Sequence, residues 1–418
     1  MEPLKLSMAV LVVLAAASGC SAEETRQSAQ VERVPDTVST EALVQGNNSF
    51  ALDLYLEACE GDQDENIFFS PFSISSALAM TYTAARGETA GEMAEVLHFG
   101  LSPGMVGRAF RPLMEQMSSG DLSGAESGEP FTLTIANGLW VREGFQLLEE
   151  YRETVAEYFD AAVENLDFSG DPEGSRQTIN RWVAERTLDR IKDLIPPGIL
   201  GEDTRVVLTN AVYFKASWDK PFNEDATSDG RFLLADGGAV VVPMMNQTEF
   251  FRYCSLEGCR AVELFYAGGN ASMLIVLPDG DIREFQEDLD IAGLERIRGS
   301  MSPVNLSLAM PRFEFTATMQ LGGMLQSMGM ESAFSGDADL SGFTGIPDLY
   351  ISEVIHKAFV KVDEAGTEAA AATAVMVNVT SMPPPPEELN INRPFMFFIM
   401  DGETGSIVFM GRVMDPAG

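Results

Sequence analysis

Apolar residues recur along this chain with two different periods, and the period changes near the middle. In the first half they return every three or four positions, the spacing of one helix face. Leu43, Phe50, Leu52, Leu54 and Leu56 mark a helix over 41–59. Ser70-Pro71 supplies an N-cap and a first-turn proline for a helix that runs through Leu78 and Tyr82 and stops at Gly87. Thr89-Ala90-Gly91-Glu92 reads as a capping box for the next helix. Further helical patterns cover 103–117, 148–159 and 174–193, the last broken by Pro196 and Pro197.

Strand-like runs appear at 133–141 and 161–168 and then dominate: 206–218, 271–277, 305–315 and 349–362, with a helix near 319–328. Residues 232–261 alternate as hairpins do, Pro278-Asp279-Gly280 is a turn, and 395–401 with 406–413 forms a hairpin around 402–405. There is no repeat and no internal linker. Segregated helices and strands predict an α+β fold in one large domain over 41–418.

One stretch resists this reading. Residues 366–374 are almost all small, Val375 to Val379 favours a strand, and Pro383 to Pro386 locks an extended rod. The alanines suit an exposed loop or short surface helix. They equally suit a strand that must slip between two packed neighbours, with Thr367, Ala369, Ala371 and Thr373 on one face.

Composition narrows function mainly by exclusion. With 27 Lys and Arg against 63 Asp and Glu, the formal charge is −36. No basic cluster exists to hold phosphates or sulfates, so nucleic acid and heparin are excluded as partners. The acidity fits solubility or a saline setting. No run of 18 apolar residues is present. Two histidines, His98 and His356, lack a ligand cluster, so no metal or cofactor is expected. Nor does a Gly-x-Ser-x-Gly elbow stand between a strand and a helix, so the chain is not read as an enzyme.

The first 19 residues read as a targeting signal, and 20–40 as a flexible tether. Lys5 precedes an apolar core, and Ala17-Ser18-Gly19-Cys20 resembles a bacterial lipoprotein signal in which Cys20 is lipidated. An ordinary cleaved secretion signal is the alternative. Both export the protein, to the cell envelope or outside the cell, and a lipid on Cys20 would be its one attachment to membrane. Cys254 and Cys259 could close a small disulfide in an oxidising compartment.

Six motifs in order make the chain resemble the serpin family over about 41–416: Phe69-Ser70-Pro71-Phe72-Ser73-Ile74; 208–218 with Asn210 and Trp218; Ile355-His356-Lys357-Ala358; 363–373; Asn392-Arg393-Pro394-Phe395; and 408–413. The resemblance implies three sheets, about nine helices and a reactive loop at about 364–389. A protease cleaves the loop as bait and is acylated. The loop then enters the main sheet as a new strand and traps the protease. Glu364, Gly366, Thr367, Glu368, Ala369, Ala370, Ala371, Ala372 and Thr373 would be the hinge, kept small in the family's inhibitors.

Family spacing from Glu364 puts the cleaved bond at Thr380-Ser381, with Val379-Thr380 as rival. No Lys or Arg lies between Lys361 and Arg393, which disfavours a trypsin-like target. Chymotrypsin-like cleavage would have to use Met382 or Leu389. Val377, Val379 and Thr380 suit the small apolar pocket of an elastase- or subtilisin-like serine protease, with a cysteine protease as a further option. Ser70, Ser73, Asn210 and His356 match the family's buried shutter, and Trp218, Arg312 and Glu364 its breach. The expectation is a monomeric serine protease inhibitor; the alternative is a non-inhibitory relative acting as a binding or structural protein.

Overall fold

The computed structural model describes residues 36–61, 64–118, 132–367 and 385–417. Residues 35–418 form one compact unit. Its helices gather in the first half: α1 (Asp36–Gly61), α2 (Pro71–Ala84), α3 (Gly87–Val96), α4 (Pro103–Ser118), α5 (Glu149–Tyr158) and α6 (Pro172–Arg186). Three short ones follow, α7 (Ile282–Glu287), α8 (Ile291–Ser300) and α9 (Leu321–Ser327), making nine among the described residues.

Strands β1 (Ile67–Phe69), β2 (Thr132–Arg142), β3 (Ala162–Leu166) and β4 (Val206–Ser217) precede β5 (Ser228–Leu233), β6 (Ala239–Leu256), β7 (Cys259–Phe265) and β8 (Ala271–Pro278). Then come β9 (Ser302–Pro311), β10 (Phe313–Gln320), β11 (Ile351–Val362), β12 (Gly366–Thr367), β13 (Glu387–Asn390), β14 (Phe395–Asp401) and β15 (Ile407–Val413). They form a six-stranded sheet, β10-β11-β12-β4-β2-β3, and a nine-stranded sheet, β1-β15-β14-β8-β7-β6-β9-β13 with β5 on β6. Where three sheets were expected, β6 makes two of them continuous: 239–244 pairs β5, 244–253 pairs β9 and 252–256 pairs β7.

The six-stranded sheet is covered on both faces, so β4 reads as a near-unbroken apolar run. Leu208, Val212 and Phe214 face the main core. Val207 and Ala211 face a smaller core with Trp140, Ile179 and Val183.

Several boundaries depart from the sequence reading. The tether was expected to reach residue 40, but α1 already starts at Asp36. Helix α2 ends at Ala84, not Gly87, and Gly87 opens α3 with φ +53°. The expected capping box is not one: Thr89 lies buried inside α3 and Glu92 accepts from the Ser332 amide at 2.7 Å. Helix α6 begins at the Asp171 cap and stops at Arg186, where Leu188, Asp189 and Asp193 take left-handed backbone. The strand expected at 305–315 is two strands in different sheets, split at Arg312.

Candidate functional site

The site sits where β11 and β4 part. From Ile351–Val206 to Phe359–Tyr213 the two strands pair directly and in parallel. Beyond that they fork, and β12 fills the fork. Gly366 and Thr367 pair antiparallel with Ser217 and Ala216 of β4, and Thr367 also faces Val362 of β11. Only glycine fits at 366, because a Cβ there would collide with the Ala216 carbonyl oxygen. Thr367 is 1 % exposed, and its hydroxyl meets that of Tyr266 at 2.8 Å.

Trp218 anchors the chain just before this wedge. Its indole N–H donates to the Asp363 carbonyl at 3.0 Å, and its amide donates to the Ala365 carbonyl at 2.9 Å. The indole stacks on Tyr266 at 4.6 Å, and Phe214 meets Tyr266 edge-on. Glu364 is buried; its carboxylate accepts from the Arg312 guanidinium (Nε at 2.7 Å) and from the Thr227 hydroxyl. Burial pushes this carboxyl up, but those hydrogen bonds outweigh it and leave the pKa below its ordinary value. With Glu364 4 % exposed and Arg312 41 %, the pair is half-buried.

Further down the same strands lies a second network. His356 on β11 stands directly opposite Asn210 on β4. The Ser70 amide donates to His356 Nε2 at 3.2 Å, so Nε2 carries no proton and Nδ1–H donates to Asn210 Oδ1 at 2.5 Å. The Asn210 amide nitrogen donates to Ser73, carbonyl at 3.1 Å and hydroxyl at 2.5 Å, and to Asn137 Oδ1 at 2.5 Å. Ser70 Oγ caps α2 through the Ser73 amide and donates to the Val408 carbonyl at 2.6 Å. Burial drives the His356 pKa down to about 3, so the imidazole is neutral. Ser70, Ser73, Asn210 and His356 are thus joined across a helix end and two strands, as are Trp218, Arg312 and Glu364 around the wedge.

Other singled-out residues fall elsewhere. Cys20, Glu368, Ala369, Ala370, Ala371, Ala372, Thr373, Val379, Thr380 and Ser381 lie outside the described residues. Leu389 is not an available cleavage site: it is 1 % exposed in β13, which pairs with β9. The loop expected at 364–389 is therefore shorter, since its ends are already strand. Cys254 and Cys259 are free and buried, with Cys259 opposite Leu256 and Cys254 opposite Ala261, so the suggested disulfide is not formed. Burial pushes the Cys259 thiol up to about 11. His98 is exposed, with Nε2 2.6 Å from an Asp53 carboxylate oxygen.

Sequence reasoning missed Asn137, Thr227 and Tyr266. Asn137 left a trace: it is the one amide in the apolar run Ile135–Val141, and a buried amide needs partners. Thr227 and Tyr266 left none, because their roles depend on where distant strands end.

Known proteins place this geometry. Residues 45–416 match the family model Serpin (serine protease inhibitor). An uncharacterized serpin-like protein of Thermococcus kodakarensis is 42 % identical over 90 % of this chain and 86 % of its own. The leukocyte elastase inhibitor of Bos taurus is 38 % identical over 90 % and 100 %. Among solved structures, human thyroxine-binding globulin superposes with a TM-score of 0.81 at 31 % identity, covering 90 % of this chain and 99 % of that one. Uncleaved ovalbumin gives 0.80 at 27 %, covering 90 % and 100 %. The chain belongs to the serpin family, which includes protease inhibitors.

Proposed function

We propose that the protein inhibits a serine protease as a suicide substrate, cleaved near Thr380-Ser381 and trapping the acylated enzyme by inserting its loop. The observation that carries this is the two-residue wedge β12, held between β11 and β4 in the register a full strand would need. Each further loop residue steps one residue back along β4. Thr373 then comes opposite Asn210 and His356, and Val377 opposite Val206. Insertion replaces one parallel ladder by two antiparallel ones. On the order of ten added hydrogen bonds at about 1 kcal/mol each is comparable with the roughly 5–15 kcal/mol that holds a domain folded. That suffices to deform a captured enzyme, provided the starting sheet is kinetically held.

The absence of Lys and Arg from 362–392, and the valines before Thr380, favour an elastase- or subtilisin-like target. The name of the bovine relative, leukocyte elastase inhibitor, points the same way. Incubation with one protease of each type is expected to give an SDS-resistant complex, and mass spectrometry of the released C-terminal fragment locates the bond. Clean cleavage with full protease activity would instead indicate a binding or structural role. We also propose export, with anchoring through Cys20; a Cys20→Ser protein that stays membrane-bound would rule the anchor out.

A further inference from the structure

The described residues expose seven large hydrophobic side chains, and only Phe250 and Phe265 among them are aromatic. Both line one pocket of about 140 Å³. Phe250 is 62 % exposed and Phe265 37 %. A paired aromatic patch of this kind, bordered by an arginine, is the composition of an interaction hot spot. That arginine is Arg252, whose guanidinium lies 2.6 Å from the buried Glu263 carboxylate; both residues line the pocket.

Its position says what sits on it. Glu387, where the chain returns from the loop, faces Leu306 on β9, and Leu306 faces Glu249 on β6. Two strand spacings, about 10 Å, therefore separate Glu387 from the residue beside Phe250. On the other side, the pocket is lined by Trp218, which holds Asp363 and Ala365 at the loop's departure. The Phe265 carbonyl accepts from the amide of Asp219, the next residue. The patch thus lies between the two anchors of the loop. The charges lining it balance, Asp219 and Glu263 against Lys220 and Arg252.

We propose that Phe250 and Phe265 form a second contact for the protease engaged on the loop, receiving an apolar side chain. This rests on the inhibitory reading above. The patch acts on encounter and docking, before cleavage, so it sets which proteases are caught quickly and not whether a caught one is held.

The test is the second-order rate of inhibition of an elastase-type and a subtilisin-type protease by the parent and by Phe250→Ala/Phe265→Ala. Both side chains are surface groups, and a thermal melt checks that the fold is kept. The double variant is expected to be slower by about ten-fold or more against its better target. The share of cleaved inhibitor that ends in SDS-resistant complex should not change. A rate within about two-fold of a parent that does form complex overturns this inference and leaves the inhibitory reading standing. A parent that traps neither protease overturns both. Sedimentation showing a dimer that the double variant dissolves would assign the patch to a second copy of the chain and overturn it as well.

Discussion

Acid should open the six-stranded sheet, through one residue. His356 is fully buried and neutral, with its pKa lowered from 6.5 to about 3 by burial. An opened or unfolded sheet lets the imidazole titrate normally and so binds more protons than the native state between those values. Stability is therefore complete above about pH 6.5 and falls as the pH drops toward 3, by about 1.4 kcal/mol per pH unit. The full window amounts to about 5 kcal/mol; moving from pH 6.5 to 5.0 costs about 2 kcal/mol, or roughly thirty-fold in the opening equilibrium. The chain has only two histidines, so a His98→Gln background leaves His356 as its single histidine. In that background, urea unfolding followed by tryptophan fluorescence should show stability declining over this range. Adding His356→Gln should lower stability at pH 7.5 and flatten the slope. An equal slope with and without His356 would refute the reasoning.

Three substitutions probe the rest of the strand system. Thr367→Arg puts a guanidinium where the side chain is 1 % exposed between β4 and β11, a cost of several kcal/mol; it should leave the loop cleavable and abolish SDS-resistant complex. Arg312→Met strips the buried Glu364 carboxylate of its ion partner. Discounted for the 41 % exposure of Arg312, the loss is about 1–2 kcal/mol in urea unfolding at pH 7. Because the parent's Glu364 pKa is lowered, that gap should close as the pH falls below the ordinary carboxylate range. Thr373→Val keeps shape but removes the hydroxyl that the wedge's register brings opposite Asn210 and His356. The unreacted protein should melt as the parent does, while the cleaved form loses about 1–3 kcal/mol and more inhibitor is turned over without trapping, read as the ratio of free cleaved protein to complex.

What the sequence disclosed follows from how local each signal is. Helix α2 was legible because its cap is a neighbour effect: Ser70 Oγ meets the Ser73 amide, three residues away. The break at Arg312 was not, since Pro311 and Phe313 continue the apolar alternation and the strands differ only in which distant partners they pair. Strands β1 and β13 were invisible for the same reason; Ile67 pairs with Arg412 and Leu389 with Leu308. His356, Asn210, Ser70 and Ser73 were identified by the serpin-like motifs around them. Periodicity alone would have left His356 as one more residue in a buried strand.

The two hydrogen-bonded clusters act on the sheet in opposite senses. Around Trp218 and Glu364, the contacts favour the first two loop residues being in the sheet: the Trp218 indole fixes the chain at Asp363, its backbone amide fixes it at Ala365, and Tyr266 receives Thr367. This end is primed. The direct pairing of β11 with β4 resumes at Phe359 and Tyr213, and His356 with Asn210 lies three pairs further on. On the proposed insertion, the loop would part that pair about halfway, after residues 368–372 of the ten from 368 to 377 have entered. The cost would be met before the second half of the new ladder forms, which is how a barrier arises in a reaction that is downhill at its end. A neutral imidazole and amides suit that proposed role: uncharged partners could be separated, and satisfied again by a hydroxyl such as that of Thr373, without stranding a buried charge.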